Sequence, residues 1–208
     1  MEIPRQNLRT PGPIPVPSDI VEAMSEPMIN HRGPEFFELF TQVTGKLKQV
    51  FMTDNDIYVL TASGTGSLEA SIVNTLSPGD RVLGLSAGSF GDRFCDAAEA
   101  YGAEVVREEF EWGGPIDPDR VRDLLKTDSK IKAVLVTHNE TSTGVTHDLE
   151  TIASIVKSEF QKLLLVDAVS SLGWVALPVA GWKWDLVGTA YQKGFMIPPG
   201  SSFVSHRS

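Results

Sequence analysis

From Ile57 onward, the chain alternates between short apolar runs and longer segments with a helical pattern. The apolar runs predict strands at 57–61, 81–86, 104–109, 132–137, 163–166, 186–190 and 202–205. The segments between them predict helices at 67–76, 91–101, 117–126 and 149–160. Helices of about ten residues between strands make crossover connections. This order therefore predicts an α/β fold, in which a mostly parallel central sheet lies within three α/β/α layers.

The first 51 residues have a different character. Residues 1–18 hold five of the thirteen prolines, which excludes a helix and predicts an extended arm. A short helix is predicted to begin at Ser18. Residues 34–51 carry an apolar stripe at helical spacing, which predicts a helix packed into the core. With 208 residues in all, the chain is expected to form this arm and one large domain, 19–208.

The composition argues against several classes of function. A net charge of −9 disfavours a nucleic-acid backbone or an anionic membrane as the main partner. Four histidines and a single cysteine, Cys95, provide neither a disulfide framework nor a cysteine-based metal cluster. No apolar run approaches the length that spans a membrane. A cytoplasmic protein is expected, and a C-terminal organellar signal stays open.

Two side chains with useful chemistry follow neighbouring predicted strands. The run 163–166 ends on Asp167, and the run 186–190 is followed closely by Lys193. Ligands of open α/β sheets bind outside the carboxyl ends of the strands, so both groups are expected at that rim. If the ligand is pyridoxal phosphate, the lysine would form a Schiff base and the aspartate would keep the pyridine nitrogen protonated. The alternative is a solvated Lys193 and an Asp167 that caps the next helix.

A turn of small residues at 62–67 connects the first predicted strand to a helix. Glycines and hydroxyl groups at such a turn expose backbone N–H groups, which favours a phosphate site. A Rossmann fingerprint is excluded, because Glu69 stands where glycine or alanine is required. A P-loop is excluded as well, since the chain has no Gly-Lys-Ser/Thr sequence. An ordinary tight turn remains the alternative.

Two further loops follow predicted strands on the same rim. Phe90 lies between glycines after the second strand, where an aromatic face could lie against a planar ring or simply pack in the core. The loop 137–144 is densely polar, which is typical of a functional loop at a ligand edge. His138 and Glu140 imitate the H-x-E of zinc deaminases, but the required P-C-x-x-C is absent, so no metal site is predicted.

In combination, these segments resemble the class V, fold-type I pyridoxal-phosphate aminotransferases, especially the alanine–glyoxylate, serine–glyoxylate and serine–pyruvate group. The resemblance extends over essentially the whole chain. The stretches that carry it are RTPGPIPVP, MINHRGPEF, LTASGTGSLEA, SAGSFGDRF, THNETSTGV, LLLVDAVSSLG and YQKGFMIPPG.

The resemblance implies a role for each matched position. Lys193 would be the Schiff-base lysine and Asp167 the partner of the pyridine nitrogen. Phe90 and Val169 would lie on the two faces of the ring, and Thr141 near its 3-oxygen. The contacts implied for the cofactor phosphate are Ser63, Gly64, Thr65 and Gln192. The position implied in the substrate pocket is Gly12.

The resemblance also implies the reaction and the assembly. It implies transamination of alanine or serine, with glyoxylate or pyruvate as the amino acceptor, by a homodimer. Members of this group carry a C-terminal small domain, so 19–208 is expected to be an incomplete large domain that does not transaminate alone. Two alternatives stay open: another class V reaction, such as that of a cysteine desulfurase or lyase, and an inactive fragment that at most binds cofactor. Phe90 counts against a desulfurase, in which a histidine stacks on the ring.

Overall fold

The structure of the chain is a computed structural model, which describes residues 8–207. Its helices are α1 (Ser18–Ala23), α2 (Pro34–Val50), α3 (Gly64–Val73), α4 (Ser89–Ala100), α5 (Pro118–Thr127), α6 (Leu149–Ala153) and α7 (Val179–Trp182). A π-helical segment, Ser154–Glu159, continues α6. Its strands are β1 (Ile57–Leu60), β2 (Arg81–Ser86), β3 (Glu104–Glu109), β4 (Ala133–Thr137), β5 (Asn139–Glu140), β6 (Val145–Thr146), β7 (Leu163–Asp167), β8 (Leu186–Ala190) and β9 (Ser202–His206).

Seven strands form one twisted sheet in the order β1-β9-β8-β7-β4-β2-β3. The pairs from β8 to β3 are parallel, and β9 runs antiparallel to both of its neighbours. The central strands β4 and β7 are apolar almost throughout, because helices cover both of their faces. The predicted parallel sheet is confirmed, with β9 as the reversed strand.

Apolar side chains of each strand alternate between two cores, one on each face of the sheet. Leu135 and Leu165 point to the core that α3 and α4 cover. Val134 and Val166 point to the opposite core, which α5, α6 and the π-helical segment cover. The period of two in a strand explains this division, since successive residues face opposite sides. The three-layer α/β/α architecture is therefore confirmed.

Two helices begin earlier than the sequence pattern predicts. Helix α3 starts at Gly64 and helix α4 at Ser89, whereas the predicted starts were 67 and 91. Glycine and serine are poor helix formers in the interior, but they are common in a first turn. The segments predicted as loops before these helices are thus their first turns, whose N–H groups have no partner within the helix.

The prediction that the apolar stripe of α2 packs into the core is wrong. Phe37 is 74% exposed, and Leu39, Phe40 and Val43 are also exposed. Only Leu47, in the last turns of α2, is buried, together with Phe51 directly after the helix. Periodicity reports that one face of a helix is apolar, but not what covers that face. In residues 8–207, no helix has both the length and the apolar character needed to cross a bilayer.

Candidate active site

Strands β4 and β7 end level with each other, and the carboxyl end of their neighbour β8 lies beside them. Thr137 pairs with Asp167 across β4 and β7, and Asp167 pairs with Gly188 across β7 and β8. Because these strands are parallel, their carboxyl ends meet at one edge of the sheet. The segments that continue from this edge are the hairpin 139–146, the loop after Asp167 and the loop that carries Lys193. The structure therefore gathers the predicted polar residues at a single rim.

Asp167 is a buried carboxylate with few partners. It is 4% exposed, and its Oδ1 accepts a hydrogen bond of 2.9 Å from the backbone N–H of Val169. Its Oδ2 has only a long contact of 3.5 Å with the hydroxyl of Thr137. Burial raises the pKa of Asp167 to about 6, against the opposing effect of the Val169 N–H, and the nearby charge of Glu140 raises it further. No cationic side chain of the described chain forms an ion pair with it.

The alternative in which Asp167 caps the next helix is wrong. The residues after it form turns, and the next helix of the described chain, α7, begins only at Val179. The bond from the Val169 N–H closes a local turn that holds the carboxylate in place. Asp167 is therefore free to face the rim with its second oxygen.

Lys193 lies beneath the N-terminal arm. Its Nζ donates a hydrogen bond of 2.6 Å to the carbonyl of Pro11, and burial lowers its pKa while the charge of Asp167 opposes that shift. Gly12 has φ +115°, and a Cβ there would lie 2.7 Å from both Cδ and Nζ of Lys193. Any larger residue at 12 would collide with the lysine. The structure places Gly12, a position implied for the substrate pocket, next to Lys193, which is partly buried.

The turn at 63–65 is the amino end of helix α3. Ser63 precedes the helix in an extended conformation, and the first turn of α3 contains no acidic residue. The first N–H groups of a helix have no partner within it, and they favour an anion. A Cβ on Gly64 would lie 2.9 Å from Val169 Cγ2, so this glycine allows the turn to pack against the loop after β7. The phosphate-type turn and Val169 are therefore direct neighbours.

Gln192 contributes an unsatisfied polar group. Its side-chain Oε1 is buried without a hydrogen-bond partner among the described residues, while its backbone carbonyl accepts from Ile14. Oxygen and nitrogen of an amide are alike in shape, so the amide can rotate to present an N–H instead. A buried amide atom without a protein partner is available to a water or to a ligand atom.

Phe90 and Thr141 occupy adjoining segments. Phe90 lies in the first turn of α4, and Thr141 lies directly after β5. The backbone N–H groups of Phe90 and Gly91 both donate to the carboxylate of Glu140. The structure thus places Phe90 and Thr141 on either side of one buried acid.

Sequence reasoning missed the part played by Glu140, which it considered only as a part of a zinc motif. The sequence signal for this role is Gly88, which precedes α4 and has no side chain that could cap the helix. A helix without a local cap must find acceptors elsewhere. The contact between Lys193 and Pro11 was also missed, since 182 positions separate the two residues.

The fold and this rim define a fold-type I pyridoxal-phosphate protein. The sequence profile of the Aminotransferase class-V family matches residues 19–208, and the chain belongs to that family.

Several characterised proteins are similar to this chain. The alanine–glyoxylate aminotransferase of Nostoc sp. superimposes with a TM-score of 0.94 at 35% identity, over 100% of this chain and 55% of that one. The serine–glyoxylate aminotransferase of Methylorubrum extorquens is 37% identical over 96% of this chain and 51% of its own length. A protein of Synechococcus sp. named soluble hydrogenase, small subunit, is 46% identical over 95% and 52%. The chain spans about half the length of these curated relatives.

Pyridoxal phosphate is the cofactor of this family, and the unsatisfied groups of the rim fit it. Asp167 is a buried carboxylate without a cation, which suits a protonated ring nitrogen. The amino end of α3 and the unpartnered amide of Gln192 suit a phosphate group. Lys193 provides an amine within the same rim. The donors and acceptors present match the two ends of the cofactor.

Proposed function

We propose that this chain provides the cofactor site of an aminotransferase that moves the amino group of alanine or serine to glyoxylate or pyruvate. The observation that carries the proposal is the placement of an uncompensated buried carboxylate, Asp167, and a partly buried amine, Lys193, at one edge of the sheet. The names of the relatives support the substrate class, since two of the three described above transfer amino groups to glyoxylate. Residues 19–208 form the cofactor-binding domain in this proposal, and 1–18 form an arm, of which 1–7 lie outside the described residues.

When bound, pyridoxal phosphate supplies a carbonyl that bonds to amines and a cationic ring that withdraws electrons from the α-carbon of the substrate. With the cofactor bound, the Nζ of Lys193 would hold it covalently. When free as a neutral amine, this Nζ would be the base that accepts the proton from the α-carbon of the substrate. The lowered pKa of Lys193 serves this step, because only a neutral amine can act as a base. The carboxylate of Asp167 holds the proton on the ring nitrogen.

The remaining residues orient the cofactor. The phosphate would be bound by the N–H groups of Gly64 and Thr65, the hydroxyl of Ser63 and the amide of Gln192. Phe90 and Val169 would lie on the two faces of the ring, and Thr141 near its 3-oxygen. Gly12 leaves room beside Lys193 for the substrate.

Substitution of Gly64 by alanine is expected to weaken cofactor binding about tenfold. The added Cβ would lie 2.9 Å from Val169 Cγ2 and 3.2 Å from Ala190 Cβ, so the turn or Val169 must shift. Such overpacking costs about 1–3 kcal/mol. Fluorescence titration of the cofactor-free protein measures the change. Gly45→Ala in α2 is the matched control, since nothing lies within 4 Å of its Cβ. If Gly64→Ala binds the cofactor with unchanged affinity, the turn at 63–65 is not part of the cofactor site.

We also propose a homodimer in which the exposed apolar face of α2 takes part. This face consists of Phe37, Leu39, Phe40 and Val43, which are exposed in the single chain. Apolar patches of this kind mark association sites. A cytoplasmic location stays a prediction.

The double substitution of Phe37 and Phe40 by glutamate is expected to raise the dissociation constant of the dimer at least about tenfold. Two charges on the apolar face oppose its burial in a dimer interface. The core of the single chain should be unaffected, because neither phenylalanine ring is buried in it. Light scattering at several concentrations measures the association. The double substitution of Gln42 and Gln49 by glutamate, at exposed positions outside this face of the same helix, controls for the two added negative charges. A dimer of unaltered strength in the double variant would contradict the proposed interface.

A single turnover separates the proposed reaction from its alternatives. In a form of the protein that includes the C-terminal domain implied by the resemblance, the loaded protein is expected to release pyruvate from alanine or hydroxypyruvate from serine, in an amount equal to its bound cofactor. Release of sulfur from added cysteine would instead indicate the desulfurase reaction. A protein that retains its cofactor but releases no oxo acid from any donor would be the inactive fragment.

A further inference from the structure

The hairpin of β5 and β6 lies outside the main sheet, at the rim of the candidate site. Asn139 pairs with Thr146 and Glu140 with Val145. The hairpin is tied to the sheet at its base, where the N–H of His138 donates to the backbone carbonyl of Asp167 at 2.9 Å. Its two strand residues, Asn139 and Glu140, reach in different directions, toward two segments that the proposed site needs.

Glu140 reaches toward the first turn of α4. It is 1% exposed, and its Oε2 accepts from the N–H groups of Phe90 at 3.1 Å and Gly91 at 3.0 Å. Its Oε1 accepts from the N–H of Ser142 at 3.1 Å and from the Ser142 hydroxyl at 2.6 Å. Both oxygens therefore act as acceptors, and every partner is a donor. A buried carboxylate is stable only when its oxygens are satisfied in this way.

The cap of α4 comes from fifty positions away, although a local cap is the usual arrangement. Serine, aspartate or asparagine at 88 could satisfy the same N–H groups, but Gly88 stands there. A Cβ at Gly88 would lie 2.5 Å from Ser142 Oγ and 2.6 Å from Glu140 Cγ. The glycine thus makes room for the hairpin. The effect of the distant cap is to fix the backbone of Phe90 relative to Thr141, which a local cap would not do.

Asn139 reaches toward the loop after β7. Its Nδ2 donates to the hydroxyl of Ser170 at 2.9 Å, and that hydroxyl donates to the backbone carbonyl of Asn139 at 2.9 Å. The Oδ1 of Asn139 accepts from the hydroxyl of Thr146, across the hairpin. Ser170 directly follows Val169, whose methyl groups pack against Gly64. This pair of bonds ties Val169 to the same hairpin.

We propose that the β5–β6 hairpin sets the width of the slot that receives the cofactor ring, with Glu140 positioning Phe90 on one side and Asn139 positioning Val169 on the other. This inference rests on the proposed function, which assigns the two ring faces to Phe90 and Val169. Glu140 and Asn139 are positioning residues that act through these neighbours, and neither needs to touch the ring.

Glu140→Gln is the sharpest test, because it keeps the shape and exchanges one acceptor for a donor. Whichever way the glutamine amide turns, its NH₂ group faces donors: either the N–H groups of Phe90 and Gly91 or the N–H group of Ser142. In the cofactor-free protein, amide hydrogen exchange is expected to rise about tenfold or more at Phe90, Gly91 and Ser142. Exchange in β4 should stay unchanged. In the loaded protein, the cofactor dissociation constant is expected to rise about tenfold, with a weaker circular dichroism of the bound cofactor.

Two further variants keep the test decisive if Glu140→Gln folds poorly. Ser142→Ala removes the hydroxyl that links the Ser89 N–H to Glu140 Oε1, and it should shift the same measurements in the same direction by a smaller factor. Glu111→Gln makes the same chemical change at an exposed acid and should alter none of them.

A double-mutant cycle shows whether Glu140 acts through Phe90. When Phe90 is already alanine, Glu140→Gln should change the cofactor dissociation constant by less than about threefold. The positioning role would be contradicted if Glu140→Gln changed the cofactor dissociation constant by the same factor with phenylalanine or with alanine at position 90. It would also be contradicted if Glu140→Gln left the rates of amide hydrogen exchange at Phe90 and Gly91 unchanged. If the protein without substitutions retains no cofactor at Lys193, both the proposed function and the positioning role are wrong. A protein that retains cofactor there, with the same affinity after Glu140→Gln, overturns the positioning role alone.

Discussion

In a form of the protein that includes the C-terminal domain implied by the resemblance, replacement of Lys193 by alanine is expected to lower the rate of amino transfer at least about a thousandfold. The variant loses the amine that holds the cofactor and the base that takes the α-proton. It also loses the hydrogen bond to the Pro11 carbonyl, which should loosen the arm without unfolding the domain. A small primary amine added to the solution can act as a base in place of the side chain, so part of the rate should return with it. Stopped-flow measurement of oxo-acid release follows both effects.

Lys126→Ala is the matched control for this substitution. Its ammonium is exposed and lies 3.7 Å from Asp123 on the surface of α5. Exposed ion pairs of this type contribute little to stability, and Lys126 lies outside the candidate site. The control should therefore transfer amino groups at the rate of the unsubstituted protein. Turnover by Lys193→Ala at a rate near that of the unaltered protein would contradict the role of the lysine.

Substitution of Asp167 by asparagine is expected to stabilise the cofactor-free protein while it lowers amino transfer by about a hundredfold to a thousandfold. Asparagine keeps an acceptor for the Val169 N–H and removes a buried charge that has no cation. It cannot hold a proton on the ring nitrogen. Stability and activity therefore move in opposite directions at this one position.

The gain in stability from Asp167→Asn is expected to increase with pH. Burial raises the pKa of Asp167 to about 6 in the folded chain, above the ordinary value of an aspartate, so the folded state binds the proton more tightly. The aspartate therefore costs stability as pH rises from about 4 to about 6, and the cost is constant at higher pH. The advantage of Asp167→Asn should grow across this range and level off at about 3 kcal/mol near neutral pH.

Urea unfolding of the cofactor-free protein at several pH values measures this advantage. Asp54→Asn, at an exposed acid near the end of α2, should change stability by less than about 0.5 kcal/mol at every pH. An advantage of Asp167→Asn that is independent of pH would show that the buried charge is not its cause. A destabilised variant at pH 7 would contradict the assigned burial of an ionised group.

The sequence predicts those features that depend on local patterns. The bounds of β2, β3 and β8 agree with the predicted strands. For β2 and β8 the reason is that buried strands of a parallel sheet are largely apolar segments. The positions of Asp167 and Lys193 follow from the same logic, since strand ends meet at one rim.

Features that depend on distant partners could not be predicted. The pattern does not show that β9 runs antiparallel between β1 and β8, because strand order depends on long-range packing. The caps provided by Glu140 and the contact between Pro11 and Lys193 join segments that are far apart in the chain. The apolar face of α2 was assigned to the core because its pattern resembles that of a buried helix.

The most direct measurement is a map of the lysine that bonds to the cofactor. The 208-residue chain is mixed with pyridoxal phosphate, separated from free cofactor by gel filtration, reduced with borohydride and digested, and its peptides are analysed by mass spectrometry. The expected result is one labelled peptide, with the cofactor on Lys193. A label on another lysine, with Lys193 unmodified, would contradict the central assignment of the site.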